Sequence, residues 1–222
     1  MIIAIDGPAG SGKGTVAKLL SQRNGYSTMD TGAIYRTVTL YFLEHGVNWK
    51  DIEQVTDNLK KIEIKMEDNE GKLVVKMNDK DVSESIRKPR IDSNVSSVCA
   101  IEEVRTYADD IQRKLSQNGD WVIEGRDIGT YVFPNAEVKI YLDATPEERA
   151  RRRFKQNEEK GLNTQTYQEV LDGLKERDYK DSHRDLHPLK KADDAVVVDS
   201  TNMTIDEVVE EISRIIKEKT NG

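Results

Sequence analysis

The sequence predicts an α/β fold, a parallel sheet flanked by helices, and three observations carry that prediction. Met1 to Ile5 is a short apolar run ending in Asp6-Gly7, the pattern of a strand buried on both faces. A glycine-rich turn follows, Gly7 to Gly14, and then Val16, Ala17, Leu19 and Leu20 fall at helical spacing. Further buried-strand runs, Trp121-Val122-Ile123-Glu124, Val138 to Leu142 and Ala195 to Asp199, recur between helical segments, as alternating strand and helix units require.

The remaining elements follow in order. Tyr35 to Leu43 reads as a helix with Val38, Phe42 and Leu43 as apolar positions, and Glu53 to Lys61 as another. From Ile62 to Val82 the period changes. Ile62, Ile64 and Met66 alternate with charges, Asn69-Glu70-Gly71 and Asn78-Asp79 are turn signals, and Leu73 to Met77 is a second extended run. This reads as a small antiparallel sheet inserted into the α/β frame. Pro89 opens one long helical region to about Leu115, with Ile91, Val95, Val98, Ile101, Val104, Ala108, Ile111 and Leu115 on one side. At Thr145-Pro146-Glu147-Glu148, Thr145 caps a helix, Pro146 sits in its first turn and Glu148 completes a capping box. That helix carries Arg149, Arg151, Arg152 and Arg153 and ends at Gly161. Tyr167 to Asp178 is a further helix. Thr204 and Glu207 form a second capping box before a closing helix with Val208, Val209, Ile212, Ile215 and Ile216 on its apolar face.

Bulk composition narrows the function. A chain of 222 residues suits one domain with a mobile appendage or two. The net charge of −7 disfavours a nucleic-acid surface, which needs clustered Lys and Arg. A local basic pocket for small anions remains compatible with that balance. Cys99 is the single cysteine, so no intrachain disulfide forms; among Val95, Val98 and Ile101 it reads as a buried structural thiol. No basic segment precedes the apolar start and no apolar run is membrane-spanning in length. Cytoplasmic residence without membrane contact is expected.

The segment Gly7-Pro8-Ala9-Gly10-Ser11-Gly12-Lys13-Gly14-Thr15 lies between a strand and a helix, the context of a phosphate-binding P-loop of the NTPase type. Its backbone N–H groups and the helix N-terminus together favour an anion, and Lys13 would reach the β- and γ-phosphates. The residue after Lys13 is Gly14, so the hydroxyl for Mg²⁺ comes one position later, at Thr15. No Asn-Lys-x-Asp segment for reading guanine exists, which disfavours a GTPase.

A phosphoryl-transfer enzyme needs positive charge on both sides of the moving group. Asp30-Thr31-Gly32-Ala33-Ile34-Tyr35-Arg36 places a hydroxyl and an arginine at a helix start. Glu124-Gly125-Arg126-Asp127-Ile128-Gly129-Thr130 places Arg126 and Asp127 just past a buried strand, and Arg177, Asp181 and Arg184 recur at helical spacing. With Ile5-Asp6-Gly7-Pro8-Ala9-Gly10, Gly12-Lys13-Gly14-Thr15, Val132-Phe133-Pro134, Glu147-Glu148-Arg149-Ala150-Arg151-Arg152-Arg153 and Lys175-Glu176-Arg177-Asp178, these segments keep their order over almost the whole chain. In them the sequence resembles the bacterial cytidylate kinases of the nucleoside monophosphate kinase family.

That resemblance implies a single P-loop kinase unit over 1–222. It would comprise a core, an NMP-binding region at about 31–115 that includes the 62–82 insertion, and a helical lid at about 149–161. It implies transfer from Mg-ATP to CMP, and to dCMP, by a monomer that binds neither nucleic acid nor membrane. Arg36, Arg126 and Arg184 resemble the arginines that hold the acceptor phosphate. Ser96, Arg105 and Asp127 resemble the residues that read cytosine, with Thr31 near the base. Asp181 with Arg177 resembles the sugar contact. Arg149 and Arg152 or Arg153 resemble lid arginines that close on the donor phosphates, alongside Gly7, Gly10, Ser11, Gly12, Lys13, Gly14 and Thr15 of the loop. Lys13, Arg126, Arg152 and Arg153 would carry catalysis.

Residue chemistry supports part of this independently. An Asp can accept from the cytosine N4 amine and an Arg can donate toward its ring acceptors, whereas uracil reverses two of these polarities. Arg149, Arg152 and Arg153 share a helix face, and so many cations with few partners suggest an anionic ligand; Arg151 reads as solvated surface. Arg177 and Asp181 also admit a plain intrahelical ion pair. A kinase for another monophosphate, or a nucleotide-binding switch without catalysis, are the alternatives. His187, in Arg184-Asp185-Leu186-His187-Pro188, departs from the smaller residues usual in the family.

Overall fold

The computed structural model describes residues 1–69, 72–159, 161 and 165–220. Glu70 and Gly71 of the first expected turn lie outside the described residues. In chain order the elements are β1 (Ile2–Asp6), α1 (Lys13–Asn24), β2 (Ser27–Asp30), α2 (Thr31–Glu44), α3 (Ile52–Leu59), β3 (Ile64–Asn69), β4 (Lys72–Met77), β5 (Lys80–Asp81), α4 (Pro89–Cys99), α5 (Glu102–Leu115), β6 (Trp121–Gly125), β7 (Val138–Asp143), α6 (Pro146–Glu159), α7 (Tyr167–His183), β8 (Val196–Asp199) and α8 (Ile205–Thr220). A five-stranded parallel sheet runs in the order β2-β6-β1-β7-β8, and β3-β4-β5 form a separate sheet. The chain divides into two compact units, Met1–Tyr26 with Val122–Gly222, and Ser27–Trp121.

In the first unit β1 pairs in parallel with β7, Ile3 opposite Val138 and Ile5 opposite Ile140, and β7 pairs in parallel with β8. The apolar runs read as doubly buried strands do form the core. Ile3, Ile5, Val122, Val138, Ile140, Leu142 and Val198 pack with Val16 and Leu20 of α1 and with Val208, Val209, Ile212, Ile215 and Ile216 of α8. A smaller cluster joins α6 to α7 through Ala150, Val170 and Leu171, with Phe154 and Leu174 against it. The carboxyl ends of β1, β6 and β7 are Asp6, Gly125 and Asp143, and the segments that follow them carry the candidate chemistry, as open α/β sheets dispose it.

The second unit holds α2 to α5 and the inserted sheet. β3 and β4 are antiparallel, with Ile64 opposite Met77 and Met66 opposite Val75, and Met77 pairs with Lys80 of β5. Asn78 and Asp79 both take positive φ, 48° and 64°, the backbone of a tight hairpin turn and one that Asn and Asp tolerate.

The structure departs from expectation at several points. The helical region from Pro89 to Leu115 is two helices: Ile101 is extended at φ −83°, ψ 127°. The apolar stripe persists because Val98 and Val104 are both fully buried; periodicity reports burial and is blind to a backbone reset that keeps the same face inward. The helix at Tyr35 starts earlier, at Thr31, because Asp30 caps it by accepting from Ala33 N at 3.2 Å. β2 gave no signal, since only Met29 of its residues is buried. The box at Thr145 is half formed. Thr145 Oγ1 accepts from Glu148 N at 3.3 Å, but the Glu148 carboxylate turns to Arg151 and Arg152. The box at Thr204 and Glu207 is complete. Cys99 is half-buried rather than buried. Among the described residues no helix is long and apolar enough to cross a membrane.

Candidate active site

The loop after β1 is shaped by two glycines in particular. A Cβ on Gly7 would lie 2.1 Å from the Leu142 carbonyl oxygen, so β7 approaches too closely for any side chain. Gly12 caps α1 in the left-handed region, φ 93°, and offers no side chain to the helix N-terminus. The first-turn N–H groups of α1 are thus left for an external acceptor, which suits an anion. Gly14 has a different reason. A Cβ there would sit 3.2 Å from Glu124 Oε1 at the end of β6, so the hydroxyl is displaced to Thr15, which is exposed.

Lys13 is buried, and its Nζ donates to the Pro8 carbonyl at 2.7 Å and to Ser11 Oγ at 3.3 Å. Burial first, and then the Arg126 charge, push its pKa down to about 7, against the opposing charges of Glu124 and Asp6. Arg177 also lies near enough to repel it. Lys13 and the nearby Arg126 and Arg177 put cations beside the loop, as a polyphosphate site requires.

At the carboxyl end of β6, Arg126 donates from Nε to Asp181 Oδ2 at 2.9 Å and from Nη1 to the Gly125 carbonyl at 3.2 Å. Asp181 therefore pairs with Arg126, outside its own helix. Arg184 lies 3.8 Å from Asp127 Oδ1 and 3.9 Å from Asp181 Oδ1. The structure thus brings Arg126, Asp127, Asp181 and Arg184 together in one network.

The arginines of α6 do not match the expectation of cations with few partners. Arg149 is buried and donates to Ala144 O at 2.9 Å, Ala9 O at 2.8 Å and Asp178 Oδ2 at 2.6 Å. Arg152 donates to Glu148 at 2.8 Å and to Ser200 Oγ and O at 3.0 and 2.6 Å. Arg153 is exposed and reaches Gln156 at 3.3 Å. Arg151 is exposed and paired with both oxygens of Glu148, as surface. One Glu serves two arginines, and their hydrogen bonds hold its pKa down at about 2.

In the second unit, Thr31 is buried at the start of α2. Arg36 pairs with Asp92 of α4 at 2.6 Å. Arg105 of α5 is 2% exposed, its Nη1 is 3.4 Å from the Tyr35 hydroxyl, and its guanidinium lies 5.4 Å from the centre of the Tyr35 ring. Ser96 is half-buried on α4.

Three contributors escaped sequence reasoning. Asp178 accepts from Ala9 N at 3.2 Å as well as from Arg149. Glu124 lies against Gly14. Asp6 accepts from Ile128 N at 2.9 Å and Gly129 N at 2.7 Å, fixing the turn that follows Asp127. A charged residue at the end of a buried strand was the available signal for the last two.

Burial raises the Asp6 pKa to about 6, against the two backbone hydrogen bonds that favour its anion. The unfolded carboxyl ionises near 3.8, so between these values the folded state holds the extra proton. Stability from this group is then present at low pH and lost as pH rises toward and past 6, by about 3 kcal/mol. Asp6→Asn does not titrate. Urea denaturation of both proteins at pH 5 and pH 7.5 is expected to show the wild type losing ground to the variant as pH rises; a constant difference refutes the assignment.

A family model described as Cytidylate kinase matches residues 3–218. The cytidylate kinase of Fusobacterium nucleatum is 50% identical over 217 residues, 98% of this chain and 97% of the relative. That of Carboxydothermus hydrogenoformans is 44% identical over 221 residues, 100% of this chain and 99% of the relative. Among solved structures, an uncharacterized protein from Eubacterium ventriosum superposes with a TM-score of 0.51 at 13% identity, covering 98% of each chain; that likeness concerns the fold alone. Matched over nearly its whole length, the chain belongs to the cytidylate kinase family and is an enzyme of the nucleoside monophosphate kinase class.

Proposed function

We propose that the chain transfers the γ-phosphoryl group of Mg-ATP to CMP and dCMP, giving CDP and dCDP, as a cytoplasmic monomer. The observation that carries this reading is the buried Lys13 in a loop at the N-terminus of α1, in a chain related throughout to cytidylate kinases. An oxygen of the acceptor phosphate attacks the γ-phosphorus, the bond to the β,γ-bridging oxygen breaks, and ADP leaves. The acceptor phosphate is already ionised near neutral pH, its second pKa being about 6, so no general base is needed.

Gly7, Gly10, Ser11, Gly12, Lys13, Gly14 and Thr15 hold the donor phosphates by backbone N–H groups, the Lys13 ammonium and the helix terminus. Mg²⁺ bound with the nucleotide would neutralise its phosphate charge; the exposed Thr15 hydroxyl and the Glu124 carboxylate are hard oxygen donors that would suit it. Arg36, Arg126 and Arg184 hold the acceptor phosphate. Ser96, Arg105, Asp127 and Thr31 read the base, and Asp181 with Arg177 holds the sugar. Arg152 and Arg153, in a lid at about 149–161, add charge to the donor side, and Arg149 braces the loop through Ala9. The 31–115 region, with its inserted sheet, receives the monophosphate. Catalysis is positioning plus charge neutralisation.

The test is diphosphate formation from Mg-ATP with CMP, dCMP, UMP, AMP and GMP at equal concentration. CMP and dCMP are expected to react fast, with kcat/KM for UMP lower by about a hundredfold or more, because uracil leaves buried polar groups unpaired. Arg36→Ala is expected to lose transfer while ATP still binds. Fast transfer to another base sinks the base-reading assignment; ATP binding without transfer to any acceptor favours a nucleotide-binding module.

A further inference from the structure

The turn after α7 contains a residue whose backbone is costly and whose side chain points at the acceptor network. His187 has φ +49°, a left-handed conformation uncommon for a residue with a Cβ. It also precedes Pro188, whose ring disfavours compact backbone conformations in the residue before it. Such strain persists only where the surroundings over-determine it, and here they do so on three sides. The imidazole stacks on the Tyr131 ring, with centroids 4.3 Å apart and planes 8° from parallel. Its Nδ1 lies 3.3 Å from Asp127 Oδ2. Its carbonyl accepts from Arg184 Nε at 2.7 Å and also from Nη2.

We propose that His187 is a positioning residue for Asp127: its ring fixes the carboxylate that reads the acceptor base, and through it sets base selectivity. The inference rests on the base-reading role given to Asp127 above. A carboxylate rotates freely about its last torsion unless both oxygens are held. Oδ2 faces the His187 ring and Oδ1 faces Arg184, and the same residue that supplies the ring also supplies the carbonyl that holds Arg184. The turn on the other side of Asp127 is fixed by Asp6 at Ile128 and Gly129. These contacts restrict how the Asp127 carboxylate turns toward a ligand. A donor amine, as on cytosine, is accepted there; a carbonyl, as on uracil, is repelled. Without the ring the carboxylate can turn, and the discrimination weakens.

His187→Gly separates this role from a purely structural one, because glycine relieves the left-handed strain while deleting the ring. The variant is expected to melt no lower than the wild type, yet to raise KM for CMP about tenfold and narrow the CMP-to-UMP ratio of kcat/KM. KM for ATP is expected to change by less than about twofold. His187→Asn, which tolerates the same backbone and keeps a donor, is expected to recover most of the loss. On an Asp127→Ala background, His187→Gly is expected to add nothing further to KM for CMP. An unchanged KM and selectivity in His187→Gly, or effects of the two substitutions that multiply, overturns the proposal. A wild type with no preference for CMP over UMP overturns the base-reading function itself, and the two failures are read from different proteins.

Discussion

Lys13→Met is expected to reduce kcat for phosphoryl transfer by about a thousandfold or more while leaving the fold intact. The ammonium is the one cation built into the loop itself, and its two protein partners, the Pro8 carbonyl and Ser11 Oγ, hold it without neutralising it. Methionine fills nearly the same volume, and removing a cation that is only 4% exposed relieves desolvation, so the melting temperature is expected to hold or rise. Lys13→Arg is expected to fail as badly, because a planar guanidinium does not fit where a compact ammonium is lodged. A second readout follows from the pKa near 7. Burial makes the lysine of the free loop easier to deprotonate than an ordinary one, and a polyanion beside it favours the charged form. Binding of ATP is therefore expected to take up protons, seen as a calorimetric enthalpy that varies with the ionisation enthalpy of the buffer, and Lys13→Met is expected to abolish that uptake. Retention of kcat within tenfold refutes the role.

The loop was legible in the sequence because its requirements are local: a strand, glycines at fixed spacing, a lysine and a helix. The inserted sheet was legible for a similar reason, since Ile64 and Met66 alternate on β3 and Asn78-Asp79 supply a positive-φ turn. What could not be read was pairing over long sequence separation. Nothing in the pattern of α6 says that Arg149 reaches back to Ala9, or that Asp178 completes the contact. Four arginines in five residues looked like charge awaiting a ligand; the structure supplies Glu148, Ser200 and Asp178 as partners. Gly14 looked like a departure from a motif until Glu124, 110 residues away in sequence, was found against it. The break at Ile101 was hidden for the opposite reason, a continuous apolar stripe across two helices.

The Arg149–Asp178 pair carries the second large effect, one with an unequal signature. Asp178 bridges the loop and α6, accepting from Ala9 N and from Arg149. The side chains are 4% and 20% exposed, the cation being the more buried. Asp178→Ala strands a guanidinium that has only the Ala144 and Ala9 carbonyls left, and it is expected to destabilise the protein by about 3 kcal/mol or more. Arg149→Met leaves an anion that reaches solvent and keeps its hydrogen bond from Ala9, so its cost is expected to be smaller, about 1–2 kcal/mol. Replacing both partners with apolar residues, Arg149→Met with Asp178→Leu, is expected to recover part of what Asp178→Ala alone loses. Each variant removes at least one of the two hydrogen bonds that hold Ala9, and each is expected to raise KM for ATP more than KM for CMP. If Arg149 instead contacted the donor phosphates directly, Arg149→Met would lower kcat steeply with little loss of stability. Urea denaturation and steady-state kinetics on the same preparations distinguish a brace from a catalytic arginine.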